Sequence, residues 1–129
     1  MIKQAIYHRA KSAYAYAYDK ETLHIRLRSA KNDIKSVKLL GNDPYDWQPN
    51  EKGEYEWCLK STPMIKQHST SEFDYWFIEI KPTYRRFKYG FILNDGIEEL
   101  LFIERGFFSV EDEVIKKDVN SYFAFPYLN

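Results

Sequence analysis

Apolar and polar residues alternate along much of this chain in runs too short to be anything but strands. Successive side chains of a β-strand point to opposite faces, so such alternation marks a strand with one face buried. Leu23-His24-Ile25-Arg26-Leu27-Arg28 sets three aliphatic side chains on one face, and Tyr14-Ala15-Tyr16-Ala17-Tyr18 alternates large with small. The turn-like Asp19-Lys20-Glu21 between them predicts a hairpin. Further strands are expected at 36–40, 55–60, 73–80, 86–93, 100–104 and 122–125. Turn-rich stretches separate them at 29–33, 41–53, 66–71 and at Asn94-Asp95-Gly96, a good tight-turn signal. Several short strands at this spacing indicate a sandwich or a barrel. Only residues 110–118 carry the charge order of a short helix, with Glu111, Asp112 and Glu113 early and Lys116 and Lys117 late.

A chain of 129 residues closes one core, so a single domain spanning 1–129 is expected. Nineteen basic residues balance nineteen acidic ones without a charged block, which argues against a nucleic-acid backbone or an anionic membrane surface as partner. Cys58 has no second cysteine to pair with, and Met1-Ile2-Lys3-Gln4 lacks the apolar core of a signal peptide. No apolar run approaches the ~20 residues of a membrane-crossing helix. A cytoplasmic setting is therefore expected. Aromatic residues make up 18% of the chain. Such rings favour strands and also serve as sugar platforms, and composition does not separate the two uses.

The strongest functional candidate is the loop Gly41-Asn42-Asp43-Pro44-Tyr45-Asp46-Trp47-Gln48-Pro49-Asn50. Its two prolines stiffen it, Tyr45 and Trp47 can lie flat on the CH face of a glucose unit, and Asp43, Asp46 and the amides can bond hydroxyls at little ordering cost. The competing reading makes Trp47 a plug under its own loop and leaves Tyr45 simply exposed. Tyr14, Tyr16 and Tyr18 form a second candidate, a ladder on one sheet face opposite Ala15 and Ala17, with an interior face packed by tyrosine bulk as its alternative. Trp57 and Trp76 lie within strand patterns and are expected to pack in the core or on a sheet. Together, Tyr45, Trp47, Tyr14, Tyr16 and Asp43 are the candidate carbohydrate-binding residues.

His8, His24 and His68 have no metal-ligand spacing. Asn42, Asp43, Asp46, Asn94 and Asp95 offer oxygen atoms to calcium without EF-hand spacing and read as turn formers. Glu98-Glu99 and Asp112-Glu113 read as solvated pairs, since glycosidase carboxylates must flank a bound sugar at ~5–9 Å. Phosphate-loop, dinucleotide and GxSxG patterns are missing from the sequence. No catalytic residue and no cofactor is expected in this chain.

AIYHRA (5–10), YAYAYD (14–19), LHIRLR (23–28), DPYDW (43–47), FDYWF (73–77), RRFKYGF (85–91), ERGFF (104–108) and the aromatic ending 123–129 carry a resemblance. Together they resemble the N-terminal module of neopullulanases, cyclomaltodextrinases and maltogenic amylases. The likeness runs nearly end to end, departing mainly at Ala10, where the family often has proline, and in the single proline of IEIKPTYRRF. It implies an immunoglobulin-like β-sandwich, which composition alone does not indicate because the cysteine pair of antibody domains is missing. It also implies that the aromatic ending leads into a catalytic (β/α)8 barrel, absent from this chain, that hydrolyses α-glucosidic links in pullulan, cyclodextrins and maltooligosaccharides. The implied partners are α-glucan oligosaccharides or cyclodextrins, the barrel of the same chain, and the barrel of a homodimer partner, whose cleft the sandwich narrows. Calcium stays an option for the complete enzyme. Tyr45 and Trp47, matching the family's DPYxW pattern, would lie near that cleft. A dimerisation or structural domain without sugar affinity of its own is the alternative.

Overall fold

The computed structural model describes residues 1–84 and 86–125. Its first hairpin joins β1 (Ala15–Ala17) to β2 (Leu23–Ala30), pairing Ala15 with Ile25 and Tyr16 with His24. Leu23, Ile25, Leu27 and Ser29 of β2 are fully buried, as the alternation requires. Ala15 is buried too, so it, and not the tyrosines, contributes the inward side chain of β1.

The remaining strands follow in chain order. β3 (Ser36–Asn42), β4 (Trp47–Pro49), β5 (Tyr55–Trp57), β6 (Lys60–Pro63) and β7 (Ile65–Ser69) occupy the middle of the chain. β8 (Phe73–Ile80), β9 (Phe87–Asn94), β10 (Glu99–Ile103), β11 (Gly106–Ser109) and β12 (Phe123–Phe125) complete the set. One antiparallel sheet has the order β1-β2-β8-β7. The other runs β11-β10-β9-β3-β6, with β12 also paired to β9, and β4 and β5 form a separate ribbon.

The two sheets share one core. Leu23, Ile25, Leu27, Trp76 and Ile78 of the first pack with Val37, Leu39, Tyr89, Phe91 and Leu93 of the second. The molecule is therefore an all-β, immunoglobulin-like sandwich of two face-packed antiparallel sheets. A second cluster of Leu40, Trp57, Leu101, Ile103, Ile115 and Tyr122 covers the outer face of β3 and β10. Burial on both faces explains why β3 and β10 are more continuously apolar than an alternating strand.

His8 sits inside the sandwich. Its Nδ1–H donates to the Arg26 carbonyl at 2.7 Å, and its Nε2 accepts from the Tyr89 hydroxyl at 2.8 Å. The rings of Phe91 and Phe123 lie 4.8 Å away. Burial pushes the His8 pKa down to about 4, against a smaller opposing effect of the Arg26 carbonyl.

The strand expectations hold at 73–80, which is β8 to the residue, and closely at 36–40, 86–93, 100–104 and 122–125. The expected 55–60 strand instead breaks at Cys58, with β5 turning to β4 and β6 joining β3. β4, β7 and β11 go beyond the expectation. β7 was hidden because all five of its residues are exposed on a bulged sheet edge, so no buried face imposes alternation. The helix contracts to α1 (Glu113–Lys116), capped by Asp112 on the Ile115 amide and followed by a 3-10 turn, Val119–Ser121. Of the aromatic ending, 123–125 forms β12, and 126–129 lies outside the described residues.

Candidate functional site

The loop between β3 and β4 is built by its own polar groups. Asn42 donates through Nδ2 to Asp46 Oδ2 at 2.8 Å and to the Cys58 carbonyl at 2.7 Å. The side-chain amides of Gln48 and then Asn42 draw the Asp46 carboxyl below its ordinary range. Buried Trp57 donates its indole N–H to the Asp43 carbonyl at 3.0 Å, which pins the loop to the second core cluster. Asp43 Oδ1 accepts from the Tyr45 amide at 2.8 Å and from Arg86 Nε at 3.0 Å.

Arg86 then meets the Tyr45 ring, its Cζ 4.6 Å from the ring centre. The same guanidinium lies 5.3 Å from the ring centre of Tyr84. A planar guanidinium held by a carboxylate stacks well on aromatic faces. Tyr45 is nonetheless 76% exposed and Tyr84 63% exposed. Exposed rings in fixed orientations result, a condition that lowers the ordering cost of binding.

Tyr45 and Arg86 line two adjacent hollows. The larger, about 500 Å³, is walled by Asn42, Asp43, Asp46, Lys60, Thr62 and Tyr84, among others. The smaller, about 370 Å³, runs over Pro44, Phe87, Lys88 and Phe125. Both volumes lie within the roughly 300–1,000 Å³ of small-molecule sites. Two tyrosine rings over a shallow basin edged by hydroxyls and amines can hold a neutral, many-hydroxyl ligand without any reacting group.

The structure separates the five sequence candidates. Tyr45 stands at the rim, whereas Asp43 spends its carboxylate on Tyr45 and Arg86 and so supports the ring from behind. Trp47 is 41% exposed, its indole N–H turned back to the Pro44 carbonyl at 2.9 Å. Trp47 thus both closes its own loop and shows part of its ring.

Tyr14 and Tyr16 lie on the opposite sheet and line neither hollow. Tyr16 hydrogen-bonds His24 and Arg26 on the outer face of β2, while Tyr14 packs edge-on against Tyr7. Arg86 and Tyr84 escaped the sequence reading because their link to the loop spans more than forty residues, and no local pattern announces it. Trp57 and Trp76 are buried, as expected.

The N-terminal immunoglobulin-like domain model of α-amylases matches residues 1–129. The chain belongs to that family. A cyclomaltodextrinase of Geobacillus thermopakistaniensis is 46% identical over the whole chain, and a maltogenic α-amylase of Bacillus acidopullulyticus is 41% identical over the same span. An intracellular maltogenic amylase of Bacillus subtilis is 32% identical over 97% of the chain. A solved cyclomaltodextrinase superposes on all of the chain with a TM-score of 0.82 at 32% identity. The chain spans about a fifth of the length of each of these proteins.

Among the described residues no helix is long and apolar enough to cross a membrane. Among them, too, no three His, Cys, Asp or Glu side chains are grouped to hold a metal ion.

Proposed function

We propose that this domain is the α-glucan-binding and cleft-shaping module of a cyclomaltodextrinase or maltogenic-amylase type glycoside hydrolase, acting in the cytoplasm on cyclodextrins, maltooligosaccharides and pullulan. The domain itself carries no chemistry in this reading. It presents Tyr45, with Trp47 beside it, to the sugar, while the catalytic barrel of the same chain or of a homodimer partner breaks the bond. Calcium is an option for the complete enzyme. The supporting observation is the Tyr45 ring, three-quarters exposed at the rim of a hollow yet fixed from behind by Arg86 and Asp43. An isolated platform of this size binds weakly, near millimolar or about 4 kcal/mol.

A second reading, a dimerisation or structural domain without sugar affinity, draws on the outer face of the β1-β2-β8-β7 sheet. There Arg26 lies over the rings of Tyr16 and Phe77, and Arg28 over those of Tyr7 and Phe73. Titration with maltohexaose and β-cyclodextrin, followed by tryptophan fluorescence and amide shifts, decides between them. Saturable shifts lost in Tyr45→Ala or Trp47→Ala support the glucan module. No response at millimolar ligand leaves the structural domain.

A further inference from the structure

We infer that the glucan site extends beyond Tyr45 to a second platform, Tyr84, with Arg86 as the residue that positions both rings. This rests on the α-glucan reading and adds to it a ligand length: at least two consecutive glucose units.

Three observations carry it. First, Tyr84 comes from the connection between β8 and β9, lines the larger hollow together with residues of the β3–β4 loop, and is 63% exposed. Second, a single guanidinium serves both rings, its Cζ 4.6 Å from one centre and 5.3 Å from the other. Arg86 is itself bonded to the Asp43 carboxylate at 3.0 Å, so one anchored guanidinium lies against both rings. Third, Lys60 and Thr62 of β6, two residues apart and hence on one face of that strand, line the hollow together with Lys81 and Thr83. Amines and hydroxyls on its walls suit the rim hydroxyls of a sugar whose CH faces rest on the rings. Asp43 Oδ1 accepts from the Tyr45 amide and Arg86, and Asp46 accepts from Asn42 and Gln48, so these atoms hold the loop together.

A one-ring site gains little when the ligand grows from glucose to maltohexaose, whereas a two-ring site gains a second stacking contact. The test is therefore chain-length dependence. Wild-type domain, Tyr45→Ala, Tyr84→Ala, Arg86→Ala and Arg86→Lys are titrated with glucose and with maltohexaose by NMR, using ring-labelled tyrosine. Amide shifts around buried Tyr89 and Tyr122 report whether each variant keeps its fold.

Tyr84→Ala is expected to leave glucose binding unchanged and to weaken maltohexaose about fivefold, the equivalent of about 1 kcal/mol. In the wild type both ring signals move with maltohexaose. Arg86→Ala should shift the Tyr45 and Tyr84 ring signals before any ligand is added and weaken both sugars. Arg86→Lys, lacking a planar fork, should not restore them.

Maltohexaose that moves Tyr45 but not Tyr84, with Tyr84→Ala binding like wild type, overturns the extension and leaves the loop reading standing. Unmoved ring signals in ligand-free Arg86→Ala overturn the positioning role. A wild-type domain that binds neither sugar removes the glucan reading and the extension together.

Discussion

Replacing His8 by glutamine tests whether the sandwich depends on a neutral imidazole in its core. In the folded chain burial holds the His8 pKa near 4, against an ordinary value of 6.5. Below pH 6.5 the unfolded chain takes up a proton that the folded chain refuses, so stability falls as pH falls and the loss saturates below pH 4. The gap between 6.5 and about 4 corresponds to about 3 kcal/mol in total. At pH 5 about 2 kcal/mol of this is already lost relative to pH 8.

The assay is urea unfolding of wild type and His8→Gln from pH 8 to pH 5. The variant should be less stable at pH 8 by about 1–3 kcal/mol, because the Tyr89 hydroxyl and Arg26 carbonyl lose well-placed partners. It should also lose about 2 kcal/mol less than wild type on going to pH 5. His24 and His68 are present in both proteins and cancel in the difference. Parallel stability curves, or a His8 ring signal titrating near pH 6.5 in the folded domain, would mean that the core does not hold His8 neutral.

Three further outcomes are expected. Gly41→Ala should destabilise by about 1–3 kcal/mol or more in urea unfolding, since its Cβ would meet the Lys88 carbonyl and the Tyr89 Cα, both backbone atoms that cannot step aside. Trp57→Phe keeps most of the burial but frees the Asp43 carbonyl. It should cost about 1–3 kcal/mol and weaken maltohexaose binding although Trp57 touches no sugar, as read by titration of the folded variant. Asp43→Ala should change unfolding stability by only about 1 kcal/mol, as expected of a partly exposed ion pair. Its larger effect should be on sugar affinity and on the Tyr45 amide signal.

Elements with one apolar and one polar face were legible in the sequence: the Leu23, Ile25, Leu27 stripe of β2 appears as alternation because His24, Arg26 and Arg28 occupy its other face. The wholly exposed edge strand β7 had no such stripe and was read as turn. DPYDW could be picked out as a loop worth attention from its prolines and rings. That Asp43 supports from behind, that Trp47 half closes its own loop, and that Arg86 joins Tyr45 to Tyr84 are all products of tertiary pairing. His8 illustrates the same limit. Nothing within AIYHRA marks it as a core residue, and its partner Tyr89 lies 81 residues on.

The most direct test of the central claim is an amide chemical-shift map of the wild-type domain saturated with maltohexaose. The largest shifts should cluster at residues 42–47 and 81–88, around the Tyr45 and Arg86 rim. Shifts centred on Tyr14, Tyr16 and the outer face of β2, or none at millimolar sugar, would contradict it.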